Sequence, residues 1–313
     1  MKILLVTTGG TIASIIDDGV IDVSPQGKLL VLKKYREIDS DTQFEVVSPV
    51  NILSENITAD DYKIIAKTML SIDYDKYDGV IVTHGSDTLA YTSAMIALLL
   101  SDINKPVCVV AADKSLQDEK SNGMDNFVCA VKIIKSRKNG VFVPYRNADM
   151  VTYVHYASKL FESSLLSDDF YSVGGACGEY KDNVLRFYDK QYEAEALKDK
   201  NKIDLSFSKK IIQVCPYPLL DYSSIDIDGA DAVIHRTYHA GSVCVNGNES
   251  TCVFSLISRC KNKNIPVYIC GLTKGKDNYS CSTNQNHCGT CCRLAGTVYG
   301  EHDAAKRRQQ YCQ

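Results

Sequence analysis

The feature that most constrains this chain is a set of short, wholly apolar strands that run straight into glycine and hydroxyl residues. Gly79-Val80-Ile81-Val82 has no polar alternation, is followed by the polar turn Thr83-His84-Gly85-Ser86-Asp87-Thr88, and then by an apolar stretch to Leu100. A strand that is apolar on both faces has to be covered on both, which is the condition of a parallel sheet between helical layers. The unit recurs. Lys2 to Val6 runs into Thr7-Thr8-Gly9-Gly10-Thr11-Ile12-Ala13, and further strands are expected at 44–47, 106–111, 141–143 and 151–156. Thr58-Ala59-Asp60-Asp61 has the form of a capping box, and the spacing of Tyr62, Ile65, Ala66, Met69 and Leu70 fits a helix behind it. Helices are also expected over 87–100 and 126–135.

The 174–188 segment, with the turn Tyr180-Lys181-Asp182-Asn183, looks like a hairpin that closes a first domain of residues 1–190. A polar stretch without a period of two, 191–209, is expected to be a linker. A second α/β pattern fills 210–313: strand 211–215, helix, strand 232–234, helix 252–260, strand 267–270. The expected fold class is therefore α/β, with a large N-terminal parallel-sheet domain and a smaller C-terminal α/β domain.

Composition narrows the function classes. Of 313 residues, 45% are hydrophobic and 23% charged, which excludes a disordered or fibrous chain. A net charge of −3 with scattered lysines and arginines leaves no footprint for nucleic acid. The apolar run at the N-terminus is shorter than a secretory signal needs, and no window is apolar enough to span a membrane, so a cytoplasmic location is expected. Thirteen cysteines, an odd number, then read as reduced thiols, and Cys108, Cys129, Cys215 and Cys270 read as small core residues.

Chemistry is expected at the two hydroxyl-rich turns. Ligands of parallel sheets bind at the carboxyl ends of strands, and adjacent glycines let backbone approach a ligand. The first turn lacks the G-x-G-x-x-G spacing of a dinucleotide loop. In the second turn a helix cap accounts for one polar residue and four are present.

Together the segments Thr8-Gly9-Gly10-Thr11-Ile12-Ala13 and Thr83-His84-Gly85-Ser86-Asp87-Thr88 resemble the two signatures of the bacterial and archaeal L-asparaginase/glutaminase family. The resemblance implies a flavodoxin-like N-terminal domain and hydrolysis of L-asparagine to L-aspartate and ammonia without cofactor or metal. It implies Thr11 as nucleophile, Ser86 in place of the second motif's threonine, Asp87 as acidic partner and Lys159 as the lysine paired with it. Ser54 and Glu55, with Gly10 and Gly85, are the expected substrate-binding positions. A homodimer or homotetramer is implied as well, with L-asparagine as the small-molecule partner and neither nucleic acid nor membrane.

The pattern also departs from the family. The loop tyrosine that helps activate the threonine is missing at Gly19-Val20-Ile21, and Tyr35 is the nearest other phenol. The last residues hold Cys281, His287, Cys288, Cys291, Cys292 and Cys312 with only one C-x-x-C, short of the two ligand pairs of a structural zinc site. His84 reads as a local orienting group rather than a metal ligand. Glutaminase activity and a non-catalytic amino-acid-binding protein are the alternatives. The glutaminase subunit of a tRNA-dependent amidotransferase is expected to carry an extra domain before the first motif, where this chain has six residues before Thr7.

Overall fold

A computed structural model describes residues 1–17, 20–23, 25–188, 203–245, 248 and 250–270. Most of the expected linker and the cysteine-rich C-terminal segment lie outside the described residues. The chain divides into two compact units, Met1–Phe207 and Ser208–Gln313.

The first unit is built on one eight-stranded sheet. Its strands in chain order are β1 (Lys2–Thr7), β4 (Gln43–Val47), β5 (Gly79–Thr83), β6 (Pro106–Val110), β7 (Gly140–Arg146), β8 (Thr152–Tyr156), β9 (Gly178–Lys181) and β10 (Val184–Phe187). A separate antiparallel ribbon, β2 (Ser14–Asp17) with β3 (Val20–Val23), follows the first motif. The helices are α1 (Pro25–Arg36), α2 (Ala59–Ser71), α3 (Leu89–Leu99) and α4 (Gly123–Lys135).

The sheet order is β10-β9-β8-β7-β6-β5-β1-β4. The five strands β4-β1-β5-β6-β7 are parallel, and β7 to β10 are antiparallel. Numbered by their own sequence, the parallel strands lie in the order 2-1-3-4-5, the flavodoxin-like arrangement, whose switch point falls between β1 and β5. The sheet is thus mixed: a parallel half extended by an antiparallel half.

Alternation along β1 explains the two layers. Leu4 and Val6 enter a core shared with Ile65, Met69 and Leu89 from α2 and α3. Ile3 and Leu5 enter a second core shared with Val31 and Leu32 of α1 and Phe127 and Ile134 of α4. All five residues of β5 are buried, as an apolar run without alternation requires.

The capping box forms as expected: Thr58 Oγ1 accepts from the Asp61 backbone N–H, and the Asp61 carboxylate accepts from the Thr58 N–H. The β9–β10 turn places Asp182 and Asn183 at φ 49° and 64°, as a two-residue hairpin turn with both central residues left-handed demands.

The second unit carries the parallel strands β11 (Ile211–Val214), β12 (Ala232–Arg236) and β13 (Val267–Cys270) in that order, with α5 (Val253–Asn262) over them. The helix expected between β11 and β12 does not form. Only a single 3₁₀ turn, Tyr222–Ser224, lies there. Pro216 and Pro218 bias the residues before them away from helical angles, and Leu219 is left-handed at φ 68°. Cys108 and Cys129 are core residues as expected, but Cys215 and Cys270 are exposed. Both sit at the carboxyl ends of the unit's outer strands.

Candidate active site

Three turns leave the carboxyl ends of β1, β4 and β5 and interlock. After β1 the backbone becomes left-handed at Gly9 (φ 111°) and Gly10 (φ 77°). It is stitched to the segment after β4 by Ile52 N–H donating to the Thr8 carbonyl at 3.0 Å and Gly10 N–H donating to the Ile52 carbonyl at 3.0 Å. A Cβ on Gly10 would lie 2.3 Å from the Gly85 nitrogen, and one on Gly85 would lie 2.3 Å from Ser54 Oγ. Glycine is therefore required at both positions for the three turns to touch. This is the topological switch point between β1 and β5.

Thr11 opens a 3₁₀ turn, Thr11–Ala13, closed by Ala13 N–H donating to the Gly10 carbonyl. Ile12 and Ala13 are buried and Thr11 is half-buried, so the threonine takes the accessible side of the turn. Ser54 is buried, and its Oγ donates to Asp87 Oδ2 at 3.3 Å. Glu55 follows it at the surface. Asp87 does not cap the helix: α3 starts at Leu89, two residues beyond the expected Asp87, and its N-cap, Thr88, makes no side-chain cap. The Asp87 carboxylate is exposed and committed to Ser54, while Ser86 is half-buried beside it. Gly10, Gly85, Ser54 and Asp87 thus meet directly, with Thr11 and Ser86 adjacent in the chain.

Lys159 arrives from a different element. It ends the 3₁₀ turn Ala157–Lys159, which packs against α3 and β7. Its carbonyl accepts from Val173 N–H at 3.0 Å, and the residue is half-buried. Tyr35 has no place here. It is buried between Phe44 and Phe127, its hydroxyl donates to Asp39, and burial pushes its pKa up to about 12.

Behind the turns lies a buried layer centred on His84, whose partners the sequence did not reveal. His84 is 1% exposed and lies within hydrogen-bond distance of Thr8, Thr88 and Thr92. Burial lowers its pKa to about 4, so the imidazole is neutral. Thr92 carried a legible signal, since with Ser93 it puts hydroxyls inside the largely apolar α3. Among the described residues no group of three or more His, Cys, Asp or Glu side chains is placed to hold a metal. No described helix is long and apolar enough to cross a membrane.

Comparison with known proteins agrees with this geometry. Residues 2–191 match the family model described as Asparaginase, N-terminal. A glutamyl-tRNA(Gln) amidotransferase subunit from Pyrococcus abyssi is 29% identical over 240 residues, covering 72% of this chain and 52% of that protein. Its counterpart from Thermoplasma volcanium is 28% identical over 241 residues, covering 74% and 58%. The chain thus spans about half the length of these curated relatives. In fold it is similar to the thermostable L-asparaginase from Thermococcus kodakarensis, with a TM-score of 0.66 at 22% identity over 86% of this chain and 79% of that one. A probable cytoplasmic L-asparaginase from Campylobacter jejuni gives 0.66 at 23% identity over 85% and 81%. Two intact glycine-hydroxyl turns meeting at the switch point of a flavodoxin-like sheet, and a family match over most of the first unit, lead to one assignment: the chain belongs to the asparaginase family of amidohydrolases.

Proposed function

We propose that this chain hydrolyses the side-chain amide of L-asparagine to L-aspartate and ammonia, with Thr11 as the nucleophile. The observation that carries this reading is the interlock of Gly10, Gly85, Ser54 and Asp87, which leaves Thr11 on the accessible side of the first turn.

The Thr11 hydroxyl attacks the amide carbon and its proton leaves to a base, because a neutral alcohol is a weak nucleophile. Lys159, carried by the turn that packs on α3, is the proposed base and returns the proton to the departing amine. Ammonia leaves and an ester on Thr11 remains. Water then attacks the ester, releasing L-aspartate and restoring the hydroxyl. Backbone N–H groups of the glycine turn other than that of Gly10, which the Ile52 carbonyl holds, are the proposed donors to the oxyanion of each step. Ser86 supplies a second hydroxyl. Ser54 turns its hydroxyl from Asp87 to the substrate's α-carboxylate, and the Asp87 carboxylate so released takes the α-amino group with Glu55. A homodimer or homotetramer in the cytoplasm is the proposed setting.

A second reading is favoured by the relatives themselves, which are amidotransferase subunits. In that reading the amide hydrolysed is glutamine and the ammonia is passed to a transamidation. Steady-state ammonia release from L-asparagine and L-glutamine, measured on the isolated chain, separates the two. A kcat/KM for asparagine at least about tenfold above that for glutamine supports the first reading, and the reverse order supports the second.

A further inference from the structure

We propose that His84 is a positioning residue for this site: as a neutral imidazole protonated on Nδ1, it clamps the turn that carries Thr11 to the turn that carries Ser86 and Asp87. The inference rests on the amide-hydrolysis reading for its kinetic consequence, but the tautomer it assigns is a property of the fold.

The assignment follows from counting protons. Thr8 Oγ1 lies 2.8 Å from the Thr83 carbonyl and 2.7 Å from His84 Nδ1. A carbonyl only accepts, and the Thr83 carbonyl takes the Thr8 backbone N–H at 3.1 Å as well; giving it the Thr8 hydroxyl proton too leaves Nδ1 to supply the proton of its own bond. Nε2 is then the acceptor. It takes the Thr92 hydroxyl at 2.8 Å. Thr88 Oγ1 lies farther away, at 3.1 Å, and gives its one proton to the Ser54 carbonyl at 3.3 Å, so it packs against Nε2 without a bond to it.

The two bonded partners, Thr8 and Thr92, belong to different parts of the site. Thr8 follows β1 and precedes Gly9 and Gly10. Thr88 stands at the N-cap of α3 directly after Asp87, and through Ser54 it reaches the turn after β4. Thr92 lies one helical turn further along α3. The groups that bond the imidazole are thus neutral hydroxyls, and the titratable group that faces Thr88 and Thr92 from α2 is the Tyr62 phenol. Thr8, His84 and Thr92 are all at most 1% exposed, so water does not compete for these bonds. A clamp of this kind fixes the separation of the two motifs without touching the substrate.

The two nitrogens can be tested separately. An asparagine amide nitrogen stands near the position of Nδ1, and a glutamine amide nitrogen near that of Nε2. His84→Gln and Thr8→Val therefore break the arm to the first motif, while His84→Asn keeps its donor. In the purified full chain, His84→Gln and Thr8→Val are expected to lower kcat for asparagine about 100-fold with KM within about threefold. His84→Asn is expected to recover most of that loss.

The companion measurement is a long-range ¹H–¹⁵N NMR spectrum of the wild-type imidazoles between pH 5 and 8. It should show His84 with a protonated Nδ1, a bare Nε2 and no titration in that range. A protonated Nε2, an imidazolium at pH 6, or wild-type kcat in both Thr8→Val and His84→Gln would overturn the proposal. If the wild type releases no ammonia, the amide-hydrolysis reading fails, while the NMR spectrum still decides the tautomer.

Discussion

Gly10 and Gly85 set the distance between the two motifs, and neither tolerates a side chain. Gly10→Ala would put a methyl group 2.3 Å from the Gly85 nitrogen at a backbone angle of φ 77° that alanine rarely adopts. Relieving that contact forces the turns apart, so we expect a loss of about 3 kcal/mol in urea unfolding, together with loss of turnover. Wild-type stability in this variant would show that the turns do not pack as described. Thr11, Asp87 and both glycines were legible in the sequence because they lie within contiguous motifs at strand ends. Thr8 and the roles of the His84 nitrogens were not, since the bond between them joins residues 76 positions apart. Tyr35 shows the converse: a phenol near the site in sequence that packing removes to the core.

At the scale of elements, local rules held where the local signal was strong. The capping box at Thr58 formed, and Thr58→Ala should cost about 1 kcal/mol, read as a fall in the urea midpoint with an unchanged slope. An unchanged midpoint would mean that packing alone fixes the start of α2. Failures came where a pattern admitted two readings. The segment between β11 and β12 had room for a helix, but Cys215-Pro216-Tyr217-Pro218 biases its start away from one, and Leu219 is left-handed where a helix would begin. Apolar runs at β7 and β8 did not reveal strand direction. A two-sided core is served by either, and the antiparallel pairing is set by the short connection between Arg146 and Thr152, too short for a crossover.

At the scale of the molecule, buried histidines tie stability to pH: His84, His155 and, with its pKa also lowered by burial, His235. His84 and His155 are both lowered to about 4 by burial. His155 Nδ1 bonds to Ser172 Oγ, whose proton goes to the Gly175 carbonyl, and its Nε2 is buried without a partner. In the unfolded chain a histidine titrates near 6.5. The unfolded state therefore binds more protons between about 4 and 6.5, so stability is full above pH 7 and falls as pH drops through that window. Asp39 acts lower: the Lys135 ammonium 2.6 Å away holds its carboxyl below the usual range, and its contribution is lost only as pH falls below about 4. Urea midpoints from pH 7.5 to 4.5 should therefore decline. The decline should be shallower in His155→Leu, and an identical slope in that variant would remove His155 from the account.

The central claim is that the Thr11 hydroxyl attacks the amide. Ammonia release from L-asparagine by the wild type and by Thr11→Ala, assayed side by side with urea unfolding to show that both are folded, tests it most directly. The account predicts turnover in the wild type and a fall of at least about 10³-fold in kcat for the variant, with unfolding unchanged. A folded Thr11→Ala variant that keeps wild-type turnover would contradict it.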